Sequence, residues 1–248
     1  MSSSTFVPAV ALLAVFLVAV AACPSYAELL PIDNPGFEIP VLADDDYDYS
    51  MDNEGWGYFD NGGNQGSWNV TTADYPGQAP QGQNVGWTNP GDAVPGGFAQ
   101  VLTDANATLK EGMRYTLSVE VGNSVTYPSG GYKVQLLAGG TPHTPGTGGD
   151  YTGPVTGGTL LAEDNNSLTI PAGTFKTSVV TYTYDPAQSS LLGQRLQIRL
   201  LALPGGGDAE TEFDNVRLDA VPEPGTLVLM SMGAVALLAY ASRRRRGR

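Results

Sequence analysis

The chain has 248 residues, with 25 Asp or Glu against 12 Lys or Arg, a net charge of −13, a single histidine and a single cysteine. One histidine and one cysteine are too few for the usual zinc centres, and a histidine-based triad would have to rest on His143 alone, a loop residue expected to be solvated. The acidity excludes nucleic acid and anionic lipid surfaces as partners and favours solubility and cation binding.

Residues 9–22 form an apolar run of signal-peptide length, too short for a comfortable membrane span. Ser25-Tyr26-Ala27 supplies small residues at cleavage spacing, so residues 1–27 are expected to be a signal peptide and Glu28 the mature start. The segment before the run carries no Lys or Arg, a departure from the usual n-region. An alternative is a lipoprotein signal, since Val20-Ala21-Ala22-Cys23 resembles a lipobox, although Pro24 follows the cysteine. Cleavage after Ala27 removes Cys23 and leaves a mature chain without thiol or disulfide chemistry.

Residues 28–219 carry 24 carboxylates and 7 bases, a net charge of −17, and are long enough for one sizeable core. The aromatic-rich stretch comes first. Asp44-Asp45-Asp46-Tyr47-Asp48-Tyr49 is followed by Trp56, Tyr58, Trp68 and Trp87. Aromatic faces stack on sugar C–H surfaces while Asp, Asn and Gln bind hydroxyls, so Trp56, Tyr58, Trp68 and Trp87 are candidate glycan-binding residues. The competing reading puts the three tryptophans in the core. The acidic run is either a calcium loop or a solvated face; it lacks the spacing of an EF-hand.

Alternation then predicts strands at 113–122, 177–184, 194–203 and 212–218, and a short apolar run predicts another at 132–138. Glycine and proline clusters predict exposed loops at 62–66, 139–158 and 204–208, with His143 solvated in the middle one. The sequons at Asn69 and Asn106 are short enough to arise by chance. With no helical period between the termini, the expected fold is all-β, a single two-sheet sandwich.

Three motifs sharpen that expectation: Asn34-Pro35-Gly36-Phe37-Glu38, Gly112-Met113-Arg114-Tyr115-Thr116-Leu117-Ser118-Val119 and Phe213-Asp214-Asn215-Val216-Arg217-Leu218. Together they resemble the galactose-binding-like jelly roll of carbohydrate-binding modules. The resemblance implies a structural calcium held by Glu38 and Asp214, and calcium accepts such hard oxygen ligands. The bland alternative is that both carboxylates cap turns. Within that fold, residues 132–141, 161–168 and Leu191-Leu192-Gly193-Gln194 are similar to the Stig-type cyclases and their PEP-CTERM relatives. That resemblance implies calcium-containing jelly rolls that cyclise indole terpenoids with an acidic proton donor in an apolar pocket. No catalytic residue of this chain is assigned by it.

The chain closes on Val221-Pro222-Glu223-Pro224, an apolar stretch at 226–241, and Arg243-Arg244-Arg245-Arg246. The apolar stretch makes about 24 Å of helix, slightly short of a bilayer core, and the arginines mark its cytoplasmic end. This order resembles the PEP-CTERM sorting signal, which implies processing by an exosortase; an ordinary single-pass anchor is the alternative. The expectation is an exported surface protein of a Gram-negative bacterium, membrane-anchored before processing, calcium-stabilised and binding extracellular polysaccharide. Alternatives are a Stig-cyclase-like enzyme acting on a small hydrophobic substrate and a structural matrix protein.

Overall fold

The computed structural model describes residues 27–49, 55–59, 64–90, 94–142, 154–223 and 233–234. The expected signal peptide before Ala27, Cys23, His143, Pro224, the apolar stretch 226–241 apart from Gly233 and Ala234, and Arg243 to Arg246 lie outside the described residues. No helix among the described residues is long and apolar enough to cross a membrane.

The strands are β1 (Glu28–Leu30), β2 (Gly57–Phe59), β3 (Asn64–Asn69), β4 (Asn84–Asn89), β5 (Gly96–Val101), β6 (Met113–Asn123), β7 (Tyr132–Ala138), β8 (Thr159–Asn165), β9 (Thr174–Thr183), β10 (Leu196–Ala202) and β11 (Thr211–Pro222). Among the described residues they form two antiparallel sheets. One has the order β3-β4-β11-β6-β9, with β1 paired to the far end of β11; the other has the order β2-β5-β10-β7-β8. Period-two alternation drives the sandwich. Along β6, Tyr115, Leu117, Val119 and Val121 point inward against Phe98, Val134, Leu136, Ile198 and Leu200 of the second sheet. The all-β sandwich expectation holds.

One loop expectation is corrected, and a second holds with a single buried exception. Residues 64–66 of the expected 62–66 loop belong to β3, which pairs with β4 from Asn64↔Asn89 to Asn69↔Asn84. Glycine there serves a close approach and not a turn: a Cβ on Gly66 would sit 1.6 Å from the Asp48 carbonyl oxygen. The described residues of the 139–158 loop are exposed, as expected, apart from Val155 and the half-buried Gly139. Val155 is fully buried among Ala99, Val101 and Phe59, and its N–H bonds the Tyr58 carbonyl at 2.9 Å. Apolar burial of one valine outweighs the exposure its glycine neighbours suggest. Residues 205–208 are exposed, as expected for a turn.

Candidate functional site

The outer face of the first sheet is set by register. Phe213 of β11 enters the core, so its neighbours Glu212 and Asp214 face the other way, and residues directly opposite share a face. Glu212 stands opposite Trp87 on β4 and Gly122 on β6, while Asp214 stands opposite Glu120. Trp68 of β3 stands opposite Val85. A second small core covers part of this face, with Tyr75 fully buried among Trp68, Val70, Val85 and Trp87. Gly122 makes room for it: a Cβ there would meet the Tyr75 hydroxyl at 2.6 Å. The Tyr75 hydroxyl pairs with Glu212 Oε2 at 2.5 Å.

Beside this second core lies a cleft of about 590 Å³. One wall is an extra strap along the edge of β3: the Asp48 N–H bonds the Ser67 carbonyl at 2.8 Å and the Asn69 N–H bonds the Asp46 carbonyl at 3.0 Å. The strap sets Tyr47 opposite Trp68. It also sets Tyr49 edge-on to Trp87, ring centroids 5.1 Å apart. Tyr127 stands edge-on to Trp68 across 6.2 Å. Asn64, Asn89 and Thr126 add neutral polar groups, and Asp45, Asp74, Asp208 and Glu210 line the same space.

Glu210 is the chemically distinctive member. Burial, reinforced by the charge of Asp208, pushes its carboxyl up to about 7, so it is part protonated near neutrality. It makes no hydrogen bond among the described residues. Glu212, fully buried beneath, is pushed up to about 8 by burial, against the lowering effect of the Tyr75 hydroxyl. The Tyr75 phenol is itself raised, first by burial and then by Glu212. Asp74 is held by hydroxyls, Thr126 Oγ1 at 2.5 Å and Thr71 Oγ1 at 2.8 Å.

The residues singled out from sequence fall in different places. Trp68 and Trp87 line the cleft, although only 6 % and 5 % exposed. Trp56 sits in the main core, stacked on Phe37 at 5.4 Å, with Nε1 bonded to the Asn34 carbonyl at 3.0 Å. Tyr58 is half-buried on β2 of the other sheet, outside the cleft lining. Glu38 and Asp214 meet around residues 81–84. Glu38 Oε1 accepts the N–H groups of Gln83 and Asn84 at 2.9 and 3.0 Å, and Asp214 Oδ2 accepts that of Gln81 at 2.7 Å. Asp214 is pushed up to about 8 by burial and by the charges of Glu38 and Glu120, against the lowering effect of the Gln81 and Asn215 N–H groups. The two carboxylates, each anchored on the 81–84 segment, are hard oxygen donors of the kind calcium accepts. No group of three metal-ligating side chains occurs among the described residues, so backbone carbonyls and water would complete the shell. Glu210, Asp74 and Tyr127 went unread in the sequence; the alternation Glu210-x-Glu212-x-Asp214 on one strand was the available signal.

The strap offers a direct test of the wall. Gly66→Ala drives its Cβ into the Asp48 carbonyl. The expected result is a loss of about 1–3 kcal/mol of stability, measured by denaturant melts; an unchanged melt would show that the strap yields freely.

Against known proteins, residues 28–149 and 154–219 match the HpiC1 cyclase family model, and residues 220–246 match the PEP-CTERM protein-sorting motif. Among solved structures, the Stig cyclase Fisc from Fischerella sp. TAU, in complex with (3Z)-3-(1-methyl-2-pyrrolidinylidene)-3H-indole, is 35% identical with a TM-score of 0.65, over 80% of this chain and 100% of that one. A cyclase from Fischerella sp. TAU in complex with 4-(1H-indol-3-yl)butan-2-one is 35% identical with a TM-score of 0.64, over 79% and 99% of the two chains. The CBM22-1 xylan-binding domain of Paenibacillus barcinonensis Xyn10C matches at 14% identity and a TM-score of 0.45, over 81% of this chain and 99% of that one. No curated protein matches the chain.

Proposed function

The chain belongs to the HpiC1-like cyclase family, and from that premise we propose that its cleft binds a flat aromatic small molecule and that Glu210 supplies the proton for cyclase-type chemistry on it. The PEP-CTERM motif makes it an exported protein sorted through the membrane, with an exosortase as processing partner. One observation carries the enzymatic reading: a half-buried carboxyl at about 7, free of hydrogen-bond partners among the described residues, lines a cleft walled by aromatic rings. General acid catalysis works best when the acid's pKa lies near the working pH. The rings orient a planar substrate by edge and face contacts. Two Fischerella cyclases of this family hold indole ligands, which gives the substrate class its first candidate.

Titration with 4-(1H-indol-3-yl)butan-2-one tests the site. Tyr49 is half exposed, so Tyr49→Ala leaves the core intact; it should weaken binding about tenfold, or about 1.4 kcal/mol. Glu210→Gln should preserve affinity while lowering turnover of an indole-terpenoid substrate by about a hundredfold or more. A folded protein that binds no indole compound would sink the reading.

A second reading is glycan binding, favoured by the amides Asn64 and Asn89 and the hydroxyl of Thr126 set among the rings. It predicts that extracellular polysaccharide retains the protein and that Tyr49→Ala or Trp87→Ala releases it. Under both readings Glu38 and Asp214 hold a structural calcium, which ties the Pro35–Glu38 turn to β11, the strand that Glu210 leads into.

A further inference from the structure

The charge of the cleft is more particular than its shape. Its walls are the rings of Tyr47, Tyr49, Trp68, Trp87 and Tyr127, and the only charged side chains among its described lining residues are Asp45, Asp74, Asp208 and Glu210. Aromatic faces carry negative quadrupole density that attracts cations, most strongly when water is excluded. Clefts lined by one sign of charge concentrate counter-charged ligands. The carboxylates here are not neutralised from within: Asp74 is held by hydroxyls alone, and Glu210 has no hydrogen-bond partner among the described residues. Trp87 adds a third feature. It lines the cleft at 5 % exposure, so its ring is largely shielded from water, the condition under which a cation–π contact is strongest.

We infer that the cleft selects cationic ligands, protonated amines or quaternary ammonium groups carried on or beside an aromatic ring, over neutral and anionic compounds with the same ring. The inference deepens the small-molecule reading and rests on it for the ring, while the charge preference stands on the cleft's own groups. Binding a cation beside Glu210 lowers that carboxyl's proton affinity, so cation binding competes with protonation of Glu210, and a ligand that is to receive the Glu210 proton enters while the carboxyl is still protonated. Among the described residues, the titratable groups around it, Asp208 and Glu212 along the chain and Asp74, Tyr75, Tyr127 and Tyr49 from the neighbouring segments, are all acids or phenols. Affinity for the cation therefore rises as pH increases through about 7.

Calorimetry on the full chain with tryptamine, 4-(1H-indol-3-yl)butan-2-one and indole-3-propionate holds the ring constant and varies the charge, with choline as a cation lacking the ring. The expected order is tryptamine at least tenfold tighter than the ketone, with the propionate unbound. The advantage should shrink in high salt, and Asp208→Asn, at an exposed position, should cut it about threefold. Equal affinities for tryptamine and ketone overturn the inference and leave the small-molecule site intact. Choline bound while no indole compound binds keeps the charge preference and removes the aromatic-substrate reading. Failure of all four probes overturns both.

Discussion

Acidifying the calcium-free protein from about pH 8 to about pH 5 is expected to raise its melting temperature. Most proteins lose stability toward acid because paired carboxylates must be protonated. Here the sign reverses, because burial raises Glu210 to about 7 and both Glu212 and Asp214 to about 8. A carboxyl whose folded pKa exceeds its unfolded value binds more protons in the native state between those two values. Its contribution is complete below the unfolded pKa, near 4.5 for Glu and 3.8 for Asp, and is lost as pH rises through about 8. The slope is of the order of 1 kcal/mol per pH unit for one such group. Glu212, the most buried of the three, accounts for roughly 5–10 °C across the window in a domain of this size. Glu212→Gln keeps an oxygen for the Tyr75 hydroxyl while removing the titration, so it should flatten the profile without collapsing the fold. Asp164 runs the other way: Ser178, Tyr132 and Ser167 hydrogen bonds lower it despite the opposing effect of burial, so its stability is lost only in stronger acid. A melting temperature that falls steadily between pH 8 and pH 5 would contradict the buried-carboxyl account.

Chelation is expected to have an effect of similar size. If Glu38 and Asp214 hold calcium, metal at a hundredfold excess over its dissociation constant adds about 2.7 kcal/mol, or roughly 5–10 °C in melting temperature. Chelator should remove that increment, and Asp214→Ala should leave nothing for the chelator to remove. The two experiments are linked. Calcium keeps Asp214 ionised, so its share of the acid stabilisation disappears when metal is present, and calcium affinity rises as pH approaches 8. A melting curve indifferent to both chelator and added calcium would withdraw the metal and leave Glu38 as a partner of the Gln83 and Asn84 N–H groups alone.

Legibility of the fold followed side-chain alternation. Strands β6, β7, β9, β10 and β11 were readable because each sets apolar residues at every second position facing one core, as Tyr115, Leu117, Val119 and Val121 do. Strands β3, β4 and β5 were not, since their sequences NQGSWN, NVGWTN and GGFAQV are interrupted by glycine. Those glycines are packing sites: a Cβ on Gly86 would meet the Phe37 ring at 2.5 Å, and one on Gly97 the Leu200 carbonyl oxygen at 2.2 Å. Composition could not distinguish a glycine that permits contact from one that permits a turn. The tryptophans show the same ambiguity. Trp56 and Trp87 are equally aromatic in sequence, yet one stacks on Phe37 in the core and the other borders the cleft.

The sequence by itself determined the sorted, exported character of the chain, its acidity and its all-β class, because these depend on local composition and on period-two alternation. Its motifs also reached the family. Tertiary structure decided the cleft. Tyr47 and Tyr49 come from the strap, Trp87 from β4, Tyr127 from the turn after β6, and Glu210 from the approach to β11. No spacing along the chain relates these residues. Register across three strands and a backbone-to-glycine contact bring them together, and the burial that follows turns ordinary carboxylates into groups that hold protons near neutral pH.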